Sequence, residues 1–117
     1  MAKLFDSPEM RETLRRLVRA EMAFKGMEYR DLSEQLAELG VVQTEGNLRS
    51  KVNNGSLGAQ LFVYLLMAMD VDALDMQRVR NVLADVHAAA EDTAQRSGAA
   101  QRPKPNRSRE RKKEDIK

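Results

Sequence analysis

Tyr29-Arg30-Asp31-Leu32-Ser33-Glu34-Gln35-Leu36-Ala37-Glu38-Leu39-Gly40-Val41-Val42-Gln43-Thr44-Glu45-Gly46-Asn47-Leu48-Arg49-Ser50-Lys51-Val52-Asn53-Asn54-Gly55 holds two short amphipathic helices and the turn between them. The first covers roughly Arg30–Leu39, with Leu32, Leu36 and Leu39 inward at helical spacing. Gly40 stops it. The second covers roughly Thr44–Asn53: Thr44 is a good N-cap, and Leu48 and Val52 form an i, i+4 apolar pair. Asn54-Gly55 is a strong turn signal.

On either side the spacing stays helical, and nothing alternates with period two for long enough to form a strand. Upstream, a helix runs from about Pro8 to Lys25. Ser7 caps it, Pro8 suits the first helical position, and Glu9 complements the positive end of the dipole. Its stripe is Met10, Leu14, Leu17, Val18 and Met22, and Gly26 ends it. Arg11, Arg15 and Arg19 form a second row, which either pairs with Glu12 and its neighbours or contacts phosphates. Downstream, a helix over about Leu57–Met69, capped by Ser56, carries Leu61, Phe62, Leu65, Leu66 and Met69 and is expected to be the buried centre. Met10, Met22, Met67, Met69 and Met76 read as gap-filling core residues. A last helix begins near Asp72–Asp75 and ends near Ala94, because Ser97-Gly98 breaks the pattern.

Two short consecutive helices within a five-helix chain form a helix-turn-helix arrangement. In it the first braces the second, which offers its outer face to the major groove. That face comprises Thr44, Glu45, Asn47, Arg49, Ser50, Lys51 and Asn54. Arg bonds guanine in bidentate fashion, Asn bonds adenine, and Ser or Thr reaches bases or phosphates. Sequence readout is expected from Asn47, Arg49, Ser50 and Lys51. Gly46 costs up to about 1 kcal/mol relative to Ala in a helix, but it permits the close approach of another backbone.

These residues carry a resemblance. Tyr29 to Leu36 followed by Gly40-Val41 is similar to the first half of phage-repressor (Cro-type) helix-turn-helix domains. Asn54-Gly55, Leu61, Leu65 and Ala68-Met69-Asp70-Val71 look like their fourth helix and its end. More closely, Leu39-Gly40-Val41, Asn47-Leu48, Lys51-Val52, Gly55 and Phe62-Val63 resemble a bacterial family of unknown function with a helix-turn-helix-like fold. The resemblance spans about residues 12–75 and places Arg30 where repressor-like folds contact a phosphate. The segment from Leu36 to Thr44 is about three residues longer than the tight repressor turn.

Composition narrows the function classes. The 117 residues hold no cysteine and one histidine, His87, which leaves no thiolate chemistry, no His-based metal site and no Ser-His-Asp triad. No cofactor, metal or enzymatic activity is expected. No apolar run approaches a membrane span, so a cytoplasmic protein is expected. The net charge of +2 divides unevenly: residues 1–96 carry −3 and residues 97–117 carry +5. The acidic body attracts DNA only through local clusters, while the basic tail is either a mobile phosphate-binding arm or a solubilising end.

Met76, Val79, Leu83, Val86 and Ala90 follow a 3, 4, 3, 4 spacing. That spacing fits either a homodimer contact or a cover for the chain's own core. The expected organisation is a flexible segment at 1–7, an all-α helix-turn-helix domain at 8–74, a C-terminal helix at 75–96 and a disordered basic tail at 97–117. The expected function is binding of double-stranded DNA by a small bacterial or phage transcriptional regulator. The alternative is a protein-interaction module on the same scaffold.

Overall fold

A computed structural model describes residues 5–100, with side chains through residue 94. Among these residues there are five helices and no strand: α1 (Pro8–Lys25), α2 (Tyr29–Glu38), α3 (Glu45–Asn54), α4 (Gly58–Ala68) and α5 (Met76–Ala100). The chain divides into two units after Val86, so that α1–α4 and the first turns of α5 belong to one, and α5 from His87 onward to the other.

Local chemistry sets most helix starts. The Ser7 side chain accepts the Met10 N–H at 3.1 Å ahead of Pro8. Asp31 accepts the Glu28 N–H at 2.8 Å, which starts α2 one residue earlier than expected. Thr44 accepts the Asn47 N–H at 3.0 Å, and Asp75 accepts the Gln77 N–H at 3.0 Å. For α4 the expected Ser56 cap does not form. Instead Leu57, 5% exposed, anchors the entry to α4, and the Ser56 N–H is spent on the Lys51 carbonyl at the end of α3.

The first four helices stop by one device. An N–H five residues on returns to a carbonyl in the last turn: Met27 to Met22, Val41 to Leu36, Ser56 to Lys51 and Val71 to Leu66. The residue before each of these donors has positive φ; it is a glycine three times and Asp70 (φ 59°) the fourth. At Gly55 the glycine is required twice over, because a Cβ there would also run into the Arg11 backbone of α1. Three of the four donors, Met27, Val41 and Val71, turn back onto the core.

That core joins Val18 and Met22 of α1, Leu32 and Leu36 of α2, Leu48 and Val52 of α3, and Leu57, Leu65, Ala68 and Met69 at α4. α3 packs on both α1 and α2, and α2 packs on α4. Each fully buried leucine contributes on the order of 1.5–3 kcal/mol of transfer free energy. Thr13, absent from the expected stripe, is fully buried with its hydroxyl donating to the Glu9 carbonyl at 2.8 Å. Lys25 donates to the Met69 and Asp70 carbonyls at 2.8 and 3.1 Å, tying the end of α1 to the end of α4.

Several expectations are corrected. α4 is not the buried centre: Val63, Tyr64 and Met67 are exposed and Leu61, Phe62 and Leu66 half-buried, because its neighbours cover only one side of a helix that is apolar all round. Met67 and Met76 are exposed, unlike Met22 and Met69. Leu39 is exposed because it follows the last turn of α2. α5 continues through Ser97-Gly98 to Ala100. One glycine costs only about 1 kcal/mol, and the two alanines that follow it are the best helix formers. The rest of the expected tail, residues 101–117, and residues 1–4 of the expected N-terminal segment lie outside the described residues.

Candidate nucleic-acid interface

The rotation of α3 is set by Leu48 and Val52, both fully buried. At about 100° per residue, the side opposite that pair consists of Gly46, Ser50 and Asn54, with Asn47 and Asn53 beside them. All five are exposed. Glu45, Arg49 and Lys51 fall on the flanks.

The preceding turn, residues 39–44, is pinned at Gln43. The Ser33 hydroxyl donates to the Gln43 carbonyl at 2.7 Å, and Lys51 Nζ donates to Gln43 Oε1 at 3.2 Å. A single residue thus couples α2, the turn and α3. Thr44 uses its hydroxyl as the cap.

The flanking charges are engaged within the protein. Arg49 Nη2 donates to Glu45 Oε2 at 3.2 Å, and its guanidinium lies 5.1 Å from the centre of the Tyr29 ring. The Tyr29 hydroxyl is buried and has no partner among the described residues. Both members of the Arg49–Glu45 pair are about half exposed, so the pair contributes only about 0.3–0.5 kcal/mol. The ring contact contributes about 0.5–1 kcal/mol more. A bidentate contact to guanine provides about 1–3 kcal/mol of discrimination, so Arg49 would spend a sizeable part of it on leaving its present site.

Asn47, Ser50 and Asn54 are different: among the described residues their side chains make no hydrogen bond. Asn53 accepts one long bond from Arg19 of α1, at 3.5 Å. Arg30, the second residue of α2, is exposed and unpaired among the described residues. The remaining α1 arginines are paired, Arg11 with Asp6 and both Arg15 and Arg16 with Glu12.

All the sequence-selected residues of the reading face therefore lie on or beside one surface, but only Asn47, Ser50 and Asn54 on α3 are unengaged. Sequence reasoning missed Asn53, which the positions of Leu48 and Val52 place on the outer side. It gave Tyr29 no role and named Arg19 only within a row of α1 arginines; only tertiary packing brings these two residues to α3. Of the expected dimer contacts, Val79 and Val86 are buried within the chain at 8% and 6% exposure. Leu83 is half-buried and Met76 exposed.

A second surface is apolar. α4 has no charged residue, and Ala59, Gln60, Val63, Tyr64 and Met67 line a shallow groove on it. Among the described residues, no group of three or more His, Asp or Glu side chains could hold a metal, and no helix is long and apolar enough to cross a membrane.

Residues 10–74, more than half of the chain, match the model of a family described as a domain of unknown function, DUF6471. No curated protein and no solved structure matches.

Proposed function

We propose that this chain, which belongs to the DUF6471 family, binds double-stranded DNA with α2 and α3 acting as a helix-turn-helix, and serves as a small transcriptional regulator. The observation that carries the reading is the outer side of α3, a row of exposed polar side chains on a helix held to α1 and α2 by Leu48 and Val52. Arg19, bonded to Asn53, and the exposed Arg30 of α2 are candidate phosphate contacts. A homodimer would present two such helices to a two-fold site. With Val79 and Val86 already buried, Met76 and Leu83 are left for that contact on α5.

Selection from a randomised duplex library with the full chain tests the reading, and one enriched sequence bound more tightly than bulk DNA is the expected result. An Arg19→Ala/Arg30→Ala variant should weaken binding to all duplexes alike and lower the salt slope by about 2. Absence of any enriched sequence, with no binding at low salt, would sink the proposal.

The uncharged exposed side of α4 favours a second reading, a protein-interaction module. A Val63→Asp/Met67→Asp variant separates the two. Loss of a co-purifying protein with DNA binding intact supports the interaction role of α4; no change in either counts against it.

A further inference from the structure

We infer that α3 reads A·T base pairs through the amides of Asn47 and Asn54, while Arg49 serves the phosphates at the groove wall. The inference rests on the DNA-binding reading above and specifies what that site recognises. It narrows the set expected from sequence, in which Arg49 and Lys51 read bases alongside Asn47 and Ser50.

The geometry points this way for three reasons. The side of α3 opposite Leu48 and Val52 carries three amides and one hydroxyl and no charge. An asparagine amide offers a donor and an acceptor side by side, which matches the N6 and N7 edge of adenine, whereas guanine presents two acceptors and calls for Arg or Lys. The cations that would read guanine sit on the flanks and are held there, Arg49 by Glu45 and the Tyr29 ring, Lys51 by Gln43.

Reach decides the rest. Asparagine is short, so it touches a base edge only if the helix seats deeply in the groove. The centre of this face is Gly46 and Ser50, the two smallest side chains of α3, and a Cβ at Gly46 would meet nothing within 4 Å. The fold has no packing need for that glycine, and a closely approached partner does. Once the helix is seated, its flanks meet the groove walls, where the phosphates lie. Arg19 of α1, bonded to Asn53, and Arg49 on the flank of α3 itself then border the amide row.

The test uses the full chain, the duplex enriched by selection, and a second duplex in which the contacted A·T pairs are replaced by G·C. Fluorescence anisotropy at two salt concentrations gives affinity and salt slope for each. Wild type should prefer the first duplex by roughly ten- to hundred-fold. Asn47→Ala/Asn54→Ala should bring the two duplexes to near equality with an unchanged salt slope. Arg49→Ala should weaken both duplexes alike, reduce the slope by about 0.9 and keep the preference. An enriched site dominated by G·C, with a preference that Arg49→Ala erases, overturns the inference and leaves the DNA-binding reading standing. An Asn47→Ala/Asn54→Ala variant that keeps its full preference also overturns it. Failure to bind any duplex overturns both.

Discussion

Gly55→Ala probes the fit of α3 against α1. Two costs act there. Gly55 has φ +66°, a left-handed conformation that costs an L-residue roughly 1–2 kcal/mol. Its new Cβ would also run into the Arg11 backbone, in the hydrogen-bonded first turn of α1 and unable to swing aside as a side chain can. Forcing an extra methyl into packed structure costs about 1–3 kcal/mol. The expected loss is therefore about 2–5 kcal/mol, or at least about 8 °C in melting temperature for a domain of this size. Gly26→Ala supplies the control, since Gly26 has nearly the same φ, +67°, with nothing within 4 Å of its Cβ. It should lose only the conformational part, about 1–2 kcal/mol. Gly46→Ala, in a helix with open space around it, should gain up to about 1 kcal/mol. Urea unfolding followed by circular dichroism gives all three values. If Gly55→Ala and Gly26→Ala differ by less than about 0.5 kcal/mol, Arg11 does not lie beneath Gly55 and the α1–α3 contact is wrong, since a packed backbone should add about 1 kcal/mol or more.

Other perturbations separate core, cap and surface. Leu48→Ala empties a fully buried site between α3 and its neighbours and should cost about 2–5 kcal/mol in the same unfolding assay. Thr44→Ala removes the α3 cap and should cost about 1 kcal/mol, recovered largely by Thr44→Ser; equal loss in both variants would contradict a capping role. Asp70→Gly relieves the one positive φ held by a non-glycine among the described residues and should raise stability by about 0.5–1 kcal/mol, provided the Lys25 bonds to the Met69 and Asp70 carbonyls persist. Deleting residues 101–117, which carry eight basic and three acidic side chains, should lower the salt slope of DNA binding without changing site preference.

The sequence by itself determined most helix starts and stops, though not the cap of α4 or the end of α5. α1 spans Pro8–Lys25, as expected, because Ser7, Pro8 and Gly26 act on adjacent backbone groups and need no distant partner. The starts of α3 and α5 at Thr44 and Asp75 follow from the same short-range bonding. The inward side of α3 was equally legible, since two apolar residues four apart define one side of a helix. Burial of α4 was not. A segment apolar all round has no period to read, and which side is covered depends on what the other helices reach. Nor could sequence settle the state of the site. The exposure of Arg49 is a local property, but its guanidinium is held over Tyr29, a residue of α2, and Asn53 is bonded by Arg19 of α1. Tertiary structure alone decided these contacts. They join groups far apart in the chain, and only the packing of Leu48 and Val52 against α1 and α2 brings those groups together. It thereby changed which residues of the same face are free to meet a partner.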